Sequence, residues 1–376
     1  MNNRYIVIIA LITLAMVFFV YGKMDASIVS RATWDYHKYL AISSAAPLFD
    51  ESIPQPFAFR LLGPYLLGLL PWDIFQIYYI ATILVALFLL VVFYCFLCSN
   101  GIRSNVAAVT VLLFSFNKYF FGYPVWNHFQ INDLISLILL IALYWCMLRH
   151  NWSVLCVLLM LGSLTRETSM LVIPVAIIYL LESGAWRKEW IPFVISVVPG
   201  IVLFLFVRMT VPYDGGSSLW DAFLMHSSKL LSPGRVYALV INSFAPLVFV
   251  PVVLCEVTIS FFRKRLHGLA FLLLVLGTAL FGSNDERLMA PSFLIFYFLI
   301  ARMLQDYFSD SPWLLWSIVL LVFPTSLDYV IGLHLLPNIA VMYTLSIISM
   351  AVISSLFLYR KYRLKAIANQ PSVAIQ

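Results

Sequence analysis

The sequence predicts an all-α fold, a polytopic transmembrane helical bundle of about 12 spans, on three observations. First, 63% of its 376 residues are hydrophobic and only 11% are charged, whereas a soluble domain is nearer half apolar and a quarter charged. Second, apolar stretches approaching the roughly 20 residues that cross a bilayer as a helix recur along the whole chain. Third, the charged residues collect in short connections whose sign bias alternates. With so much apolar surface the solvent is lipid, and residues 1–376 read as a single integral membrane domain without internal repeats.

Taken in order, the spans lie near 5–22, 74–98, 105–121, 131–148, 152–164, 168–182, 190–211, 237–262, 267–282, 288–304, 313–331 and 337–359. The first is read as a retained span, because Tyr21-Gly22-Lys23-Met24-Asp25 carries no small-x-small cleavage pattern. Residues 23–73 then form a first extracytoplasmic loop. Its piece from Leu61 to Trp72 is apolar but too short to cross, with Pro64 and Pro71 as breaks, so it lies in the interface or dips back. The fifth and sixth spans, at about 1.5 Å per helical residue, are too short for both to cross fully. They are expected to meet around Thr165-Arg166-Glu167-Thr168 at a wet cavity below the outer surface, where irregular backbone is tolerated. Tyr213-Asp214-Gly215-Gly216 reads as a turn and 366–376 as a disordered tail.

Twelve spans with the N-terminus inside place thirteen basic residues against five acids on the inner side, and ten against twelve on the outer. Basic residues in short loops favour the cytoplasm, which fixes the orientation. The net charge of +6 is thus a topological signal and not a nucleic-acid footprint. The five cysteines fall within apolar spans, so no disulfide framework is expected, and Cys95-x-x-Cys98 reads as two small apolar residues.

In this arrangement the unusual polar groups share the outer side: Asp35, His37, Lys38, Arg60, Asn127, His128, Asp133, Arg166, Glu167, Asp214, Asp285, Glu286, Arg287, Asp328 and His334. Ionisable groups at membrane depth are functional candidates, and one cavity would collect them. Asp35 is the candidate general base; its simpler role is a helix N-cap. Tyr39, four residues on, shares its helical face. Arg60, Arg166 and Arg287 are candidate phosphate clamps, since guanidinium binds phosphate through two parallel bonds. Their simpler roles are snorkelling for Arg60 and pairing with sequence neighbours for the others, Arg166 with Glu167 and Arg287 with Glu286 or Asp285. Asp133 reads as a cap or orienting group at the start of the fourth span. His128 with Asn127 and Asp133 is the nearest approach to a metal set, but no His-x-x-His, Asp-x-Asp or Glu-x-x-His spacing occurs. No glycine-rich nucleotide loop is present, so cytoplasmic ATP is not the energy source.

At these residues the chain resembles the GT-C superfamily of polytopic glycosyltransferases that use lipid-phosphate-linked sugars. Asp35-x-x-x-Tyr39-x-Ala41-Ile42 is similar to that superfamily's first-loop acidic motif, and Pro56-Phe57-Ala58-Phe59-Arg60-Leu61-Leu62 to a segment of bacterial members. Leu164-Thr165-Arg166-Glu167, followed by Leu171-Val172-Ile173-Pro174, and Glu286-Arg287-Leu288-Met289-Ala290-Pro291 resemble later elements. Where the family often has a second acid after the aspartate, this chain has Tyr36, which favours a single base. The resemblance implies a multi-pass protein of the bacterial inner membrane with its site facing the exterior. It implies glycosyl transfer, in polysaccharide biosynthesis of the cell envelope, from a polyprenyl-phosphate sugar to a glycan, lipid or protein acceptor. Asp35 would be the base, Tyr39, Arg60, His128, Arg166, Glu167, Glu286 and Arg287 would bind substrate, and no cofactor would be required. The alternatives are an O-antigen-type polysaccharide polymerase and a transporter or flippase of lipid-linked glycans.

Overall fold

The computed structural model describes residues 3–25, 35–212, 219–227, 232–278, 281–282, 284–327 and 339–368. Among these the chain is entirely helix and connection, without a strand. α1 (Asn3–Ala15) continues through a π-helical turn to Tyr21. The first loop holds α2 (Tyr36–Ala45), a 3-10 turn at Phe57–Phe59 and α3 (Leu62–Gly68). There follow α4 (Ile74–Ser99), α5 (Ser104–Ser115), a π turn at Lys118–Gly122 and α6 (Tyr123–Trp126). A 3-10 turn at His128–Gln130 opens α7 (Ile131–Leu148), then come α8 (Trp152–Ser163), a 3-10 turn at Glu167–Leu171, α9 (Val172–Glu182) and α10 (Trp186–Thr210). The remainder comprises α11 (Leu219–Ser227), α12 (Pro233–Val236), a π turn at Tyr237–Asn242, α13 (Val250–Val253), α14 (Cys255–Arg263) and α15 (Leu266–Thr278). It closes with α16 (Asp285–Leu288), α17 (Phe293–Phe308), α18 (Pro312–Ser326) and α19 (Ile339–Ala368).

Five helical stretches, Asn3–Tyr21, Ile74–Ser99, His128–Leu148, Trp186–Thr210 and Thr344–Ala366, are long and apolar enough to cross a membrane. The bent pair of α5 with Lys118–Trp126 makes six if counted as one span. The other six expected spans are shorter helices or broken ones. The stretch 105–121, expected as one span, turns by 68° after α5. There Asn117 ends one helix and caps the next turn, its side chain accepting from the amides of Tyr119 and Phe120. The stretch 237–262 divides into a π turn, α13 and α14, with prolines at 246 and 251 denying backbone donors to a continuous helix.

α5 and α17 form the centre. Every residue of α5 from Val106 onward is buried, and α17 is buried over nearly its whole circumference, as expected of helices apolar on all sides. α1, α4, α17 and α18 pack around α5, α7 lies between α4 and α8, and α8 runs along α10. The outward faces are apolar too: Val202, Phe206 and Met209 on α10 are exposed, the surface of a protein whose solvent is lipid.

Polar contacts between helix ends fall into two groups. At one end of the bundle the Arg103 amide donates to Gln305 (2.7 Å), Trp152 Nε1 donates to Glu189 (2.8 Å), and Tyr179 donates to the Leu148 carbonyl (3.1 Å). There Glu182, at the close of α9, receives the first amides of α15, Leu266 and His267, at 3.2 Å each, a cap supplied by another helix. The opposite end carries Asp35 and the groups described next. α7, α8, α9 and α10 each reach from one group to the other, although α8 and α9 have only 12 and 11 residues.

Candidate functional site

The site begins with two close approaches that seat the first loop. Gly68 of α3 meets the Ser43 carbonyl of α2 so tightly that a Cβ would lie 2.1 Å from it. Gly63 donates its amide to Asn132 Oδ1 (3.0 Å), and Asn132 Nδ2 donates to the Arg60 carbonyl (2.7 Å). The amide of Leu62 donates to the carbonyl of Leu164 (2.9 Å). One short strip, Arg60–Gly63, is thereby fastened both to the start of α7 and to the connection after α8.

Onto this frame converge two linked ionic groups. In the first, Arg287 of α16 is the hub. Its Nη1 donates to Asp35 Oδ2 (3.0 Å), its Nη2 to Gln130 Oε1 (2.6 Å) and Asp133 Oδ2 (3.0 Å), and its Nε to Asp133 Oδ2 (3.2 Å). The other oxygen of Asp133 pairs with Arg166 Nη1 at 2.7 Å. Asp35 occupies the N-cap place of α2 yet makes no capping bond. Its Oδ2 faces Arg287, with Gln130 Nε2 at 3.4 Å, while Oδ1 stands 3.7 Å from Lys38, beyond hydrogen-bond range. In the second group Glu167 bridges two cations, Arg60 (3.2 Å) and Arg208 at the end of α10 (3.3 Å). Arg208 lies over the rings of Phe204 and Phe59, which hold it against the bundle. Tyr39, buried on α2, is within electrostatic reach of Arg60, Asp133, Arg287 and Arg166 and thus stands between the groups.

The charges are strongly coupled. Burial alone would raise the Glu167 carboxyl, but Arg60 and the neighbouring arginines hold it below its ordinary range. Burial disfavours the Arg287 cation, but Asp133, Tyr123 and Asp35 more than reverse this and keep it charged. Burial pushes the Tyr39 hydroxyl upward against the opposing pull of Arg60, so it stays a neutral phenol. Buried ion pairs contribute little net stability, whereas removing one partner costs about 3–5 kcal/mol. Asp133, with only 8% of its side chain exposed, holds two arginines and is the most sensitive member. Four guanidinium groups here face three carboxylates, which leaves a positive excess suited to an anion.

Compared with protein-family models, characterised proteins and solved structures, the chain has no match.

The structure therefore brings together Asp35, Tyr39, Arg60, Arg166, Glu167 and Arg287 from separate stretches of sequence. Arg166 and Arg287 do not pair with their sequence neighbours. Glu286 turns away and accepts from Asn242 Nδ2 (2.8 Å), which also reaches Tyr119 (2.6 Å), while Asp285 pairs with Arg235 (2.7 Å). His128 also lies apart, packed with Tyr79 and Phe129. Asp214, Asp328 and His334 lie outside the described residues. Asp133 is the hub's main partner and more than a cap. Gln130 and Arg208 are additions: Gln130 carries no charge to mark it, and Arg208 reads in sequence as the end of an apolar span. Among the described residues no three His, Cys, Asp or Glu side chains come together as a metal site would require, and all five cysteines are free.

Proposed function

We propose that the chain is a membrane glycosyltransferase that moves a sugar from a polyprenyl-phosphate donor to an acceptor hydroxyl on the extracytoplasmic face. One observation carries this reading: a partly exposed carboxylate, one oxygen held by Arg287 and the other 3.7 Å from the Lys38 ammonium, sits at the edge of a cation-rich cluster. Asp35 is 23% exposed at its side chain, so an acceptor can reach it. In the reaction Asp35 removes the proton of the acceptor hydroxyl as that oxygen bonds to the anomeric carbon. The bond from carbon to phosphate oxygen breaks, its electron pair leaves with the phosphate, and Asp35 carries the proton. Arginine donors stabilise the departing charge. Arg60 and Arg208 suit that part best, because they share a single carboxylate between them, whereas Arg287 is occupied in orienting Asp35 and Asp133.

The proposed membrane topology keeps twelve crossings with both termini inside. Its support is the two-ended segregation of polar contacts, which even the short α8 and α9 connect from one end to the other. An enzyme of this kind needs a site sunk below the outer surface, and about 18 Å of α8 stops short of a hydrocarbon core of about 30 Å.

The test uses purified protein in lipid nanodiscs with polyprenyl-phosphate hexoses tritiated in the sugar. Release of free polyprenyl phosphate with label moved to an acceptor is expected, and Asp35→Asn should slow it by roughly 10²-fold or more, as for loss of a positioned base. A wild-type rate in Asp35→Asn would remove Asp35 from the chemistry. Movement of intact donor across the bilayer without release would instead identify a transporter.

A further inference from the structure

Beside the ionic groups lies a recess of about 700 Å³, lined among the described residues by Lys23, Asp25, Tyr36, His37, Phe75 and His128, with Met24 and Leu40. Its size falls in the range of about 300–1,000 Å³ typical of small-molecule pockets. Its chemistry differs from that of the arginine cluster. It carries one lysine, one aspartate and two imidazoles, a balance with no excess charge to attract a phosphate. Its walls are aromatic: the ring centres of Tyr36 and His37 lie 3.8 Å apart with the planes tilted by 34°, and Phe75, 41% exposed, sets its edge on Phe129 at 5.8 Å. The ammonium of Lys23 stands 5.1 Å from the Tyr79 ring centre, and that ring abuts His128.

His128 supplies the independent observation. It is 0% exposed, its Nδ1 lies 3.5 Å from the Trp126 carbonyl, and its Nε2 has no hydrogen-bond partner. A buried polar atom left unsatisfied costs about 1–3 kcal/mol, so a hydroxyl that displaces the side chains covering this imidazole gains a hydrogen bond at Nε2. Aromatic faces attract the polarised C–H bonds of a pyranose, while ammonium, carboxylate and imidazole groups serve its hydroxyls. Position makes the same point. The turn His128–Gln130 presents His128 to the recess and Gln130 to Arg287 and Asp35. Asp35 and Tyr36 are likewise neighbours, one on each side. Asp35 thus stands between a cation-rich site and a neutral, aromatic one.

We propose that this recess is a carbohydrate seat and that the acceptor is a glycan, bound through pyranose rings against Tyr36, His37 and Phe75 with His128 taking one hydroxyl. The assignment of the recess as acceptor site rests on the glycosyl-transfer reading; the seat itself does not.

The experiment measures saturation-transfer NMR from full-length protein in nanodiscs to trisaccharides of glucose, galactose, mannose and N-acetylglucosamine. Nanodiscs are required because alkyl-maltoside detergents would themselves supply a sugar. At least one trisaccharide should bind. Phe75→Ala and Lys23→Gln, which leave buried His128 in place, should each weaken it roughly three- to tenfold, the size of a lost aromatic or cationic contact. In the transfer assay the same variants should raise the acceptor KM and spare kcat. Absence of binding by every trisaccharide, binding unchanged in both variants, or binding only by serine- and threonine-containing peptides would each overturn the seat. Glycan binding lost in the variants, in a protein that releases no polyprenyl phosphate, would keep the seat and end the transferase reading.

Discussion

Glu167 shows how much a single residue of this site carries. It is one carboxylate between Arg60 and Arg208, and those cations, against the effect of burial, lower its proton affinity. A carboxyl whose native value is depressed contributes stability in full above its unfolded value, near 4.5, and loses it as pH falls through the native value. The melting temperature of the wild type should therefore exceed that of Glu167→Gln at pH 7, with the gap closing as the pH drops below about 4.5. A gap constant from pH 7 to pH 3 would show that the Glu167 charge is not what holds the two arginines. At this scale Asp35, Arg60, Arg166 and Arg287 were legible because charge in an apolar sequence is conspicuous. Asp133 and Glu167 were legible on the same ground, but two of their partners were not. Arg208 follows an apolar run, where an arginine reads as snorkelling to the interface, and only the fold sets it beside Glu167. Gln130 has no formal charge, and nothing in Phe129-Gln130-Ile131 announces that it braces a guanidinium.

Elements divide in the same way. α4 and α7 were legible nearly to the residue and α10 to within four, because a long helix in lipid is written as continuous hydropathy. The broken ones were not, because a helix break is decided by where backbone donors find other partners. Asn117 interrupts one apparent span from within an apolar sequence, and prolines at 246 and 251 divide another. The first loop was read as the segment that carries Asp35, Tyr39 and Arg60, but its anchoring depends on contacts too fine for periodicity to reveal. Gly68 is the clearest: a methyl there would strike the Ser43 backbone at 2.1 Å, and backbone on both sides leaves nothing flexible to yield. Gly68→Ala should separate α2 from α3, costing about 1–3 kcal/mol or more as overpacking does, and should shift Asp35 at the head of α2. A melting temperature and transfer rate equal to wild type would show that the loop is seated by other contacts.

For the molecule as a whole the decisive property is sidedness. The structure joins Arg103 to Gln305 and Glu182 to His267 at one end and gathers Asp35, Asp133 and Arg287 at the other. Which end faces the cytoplasm rests on the basic excess alone. In a background lacking the native cysteines, Ser44→Cys and Ser183→Cys, both at exposed positions, should label oppositely with an impermeant thiol reagent applied to intact cells. Labelling of Ser183→Cys and protection of Ser44→Cys would invert the orientation and place the site in the cytoplasm.

The disparity between α10 and its neighbour α8 has a consequence for the surrounding bilayer. α10 measures about 37 Å from its 25 residues and α8 about 18 Å from its 12, yet both join the same two ends, and α8 exposes Val154, Val157 and Leu161. Under the proposed twelve-crossing topology, lipid that fits α10 would be too thick for α8, and the leaflet beside Arg166 would be drawn down into a dimple, a mismatch that costs fractions of a kcal/mol per ångström. Headgroups there would sink toward the arginines, and membrane thickness would become a quantity to which such a protein responds.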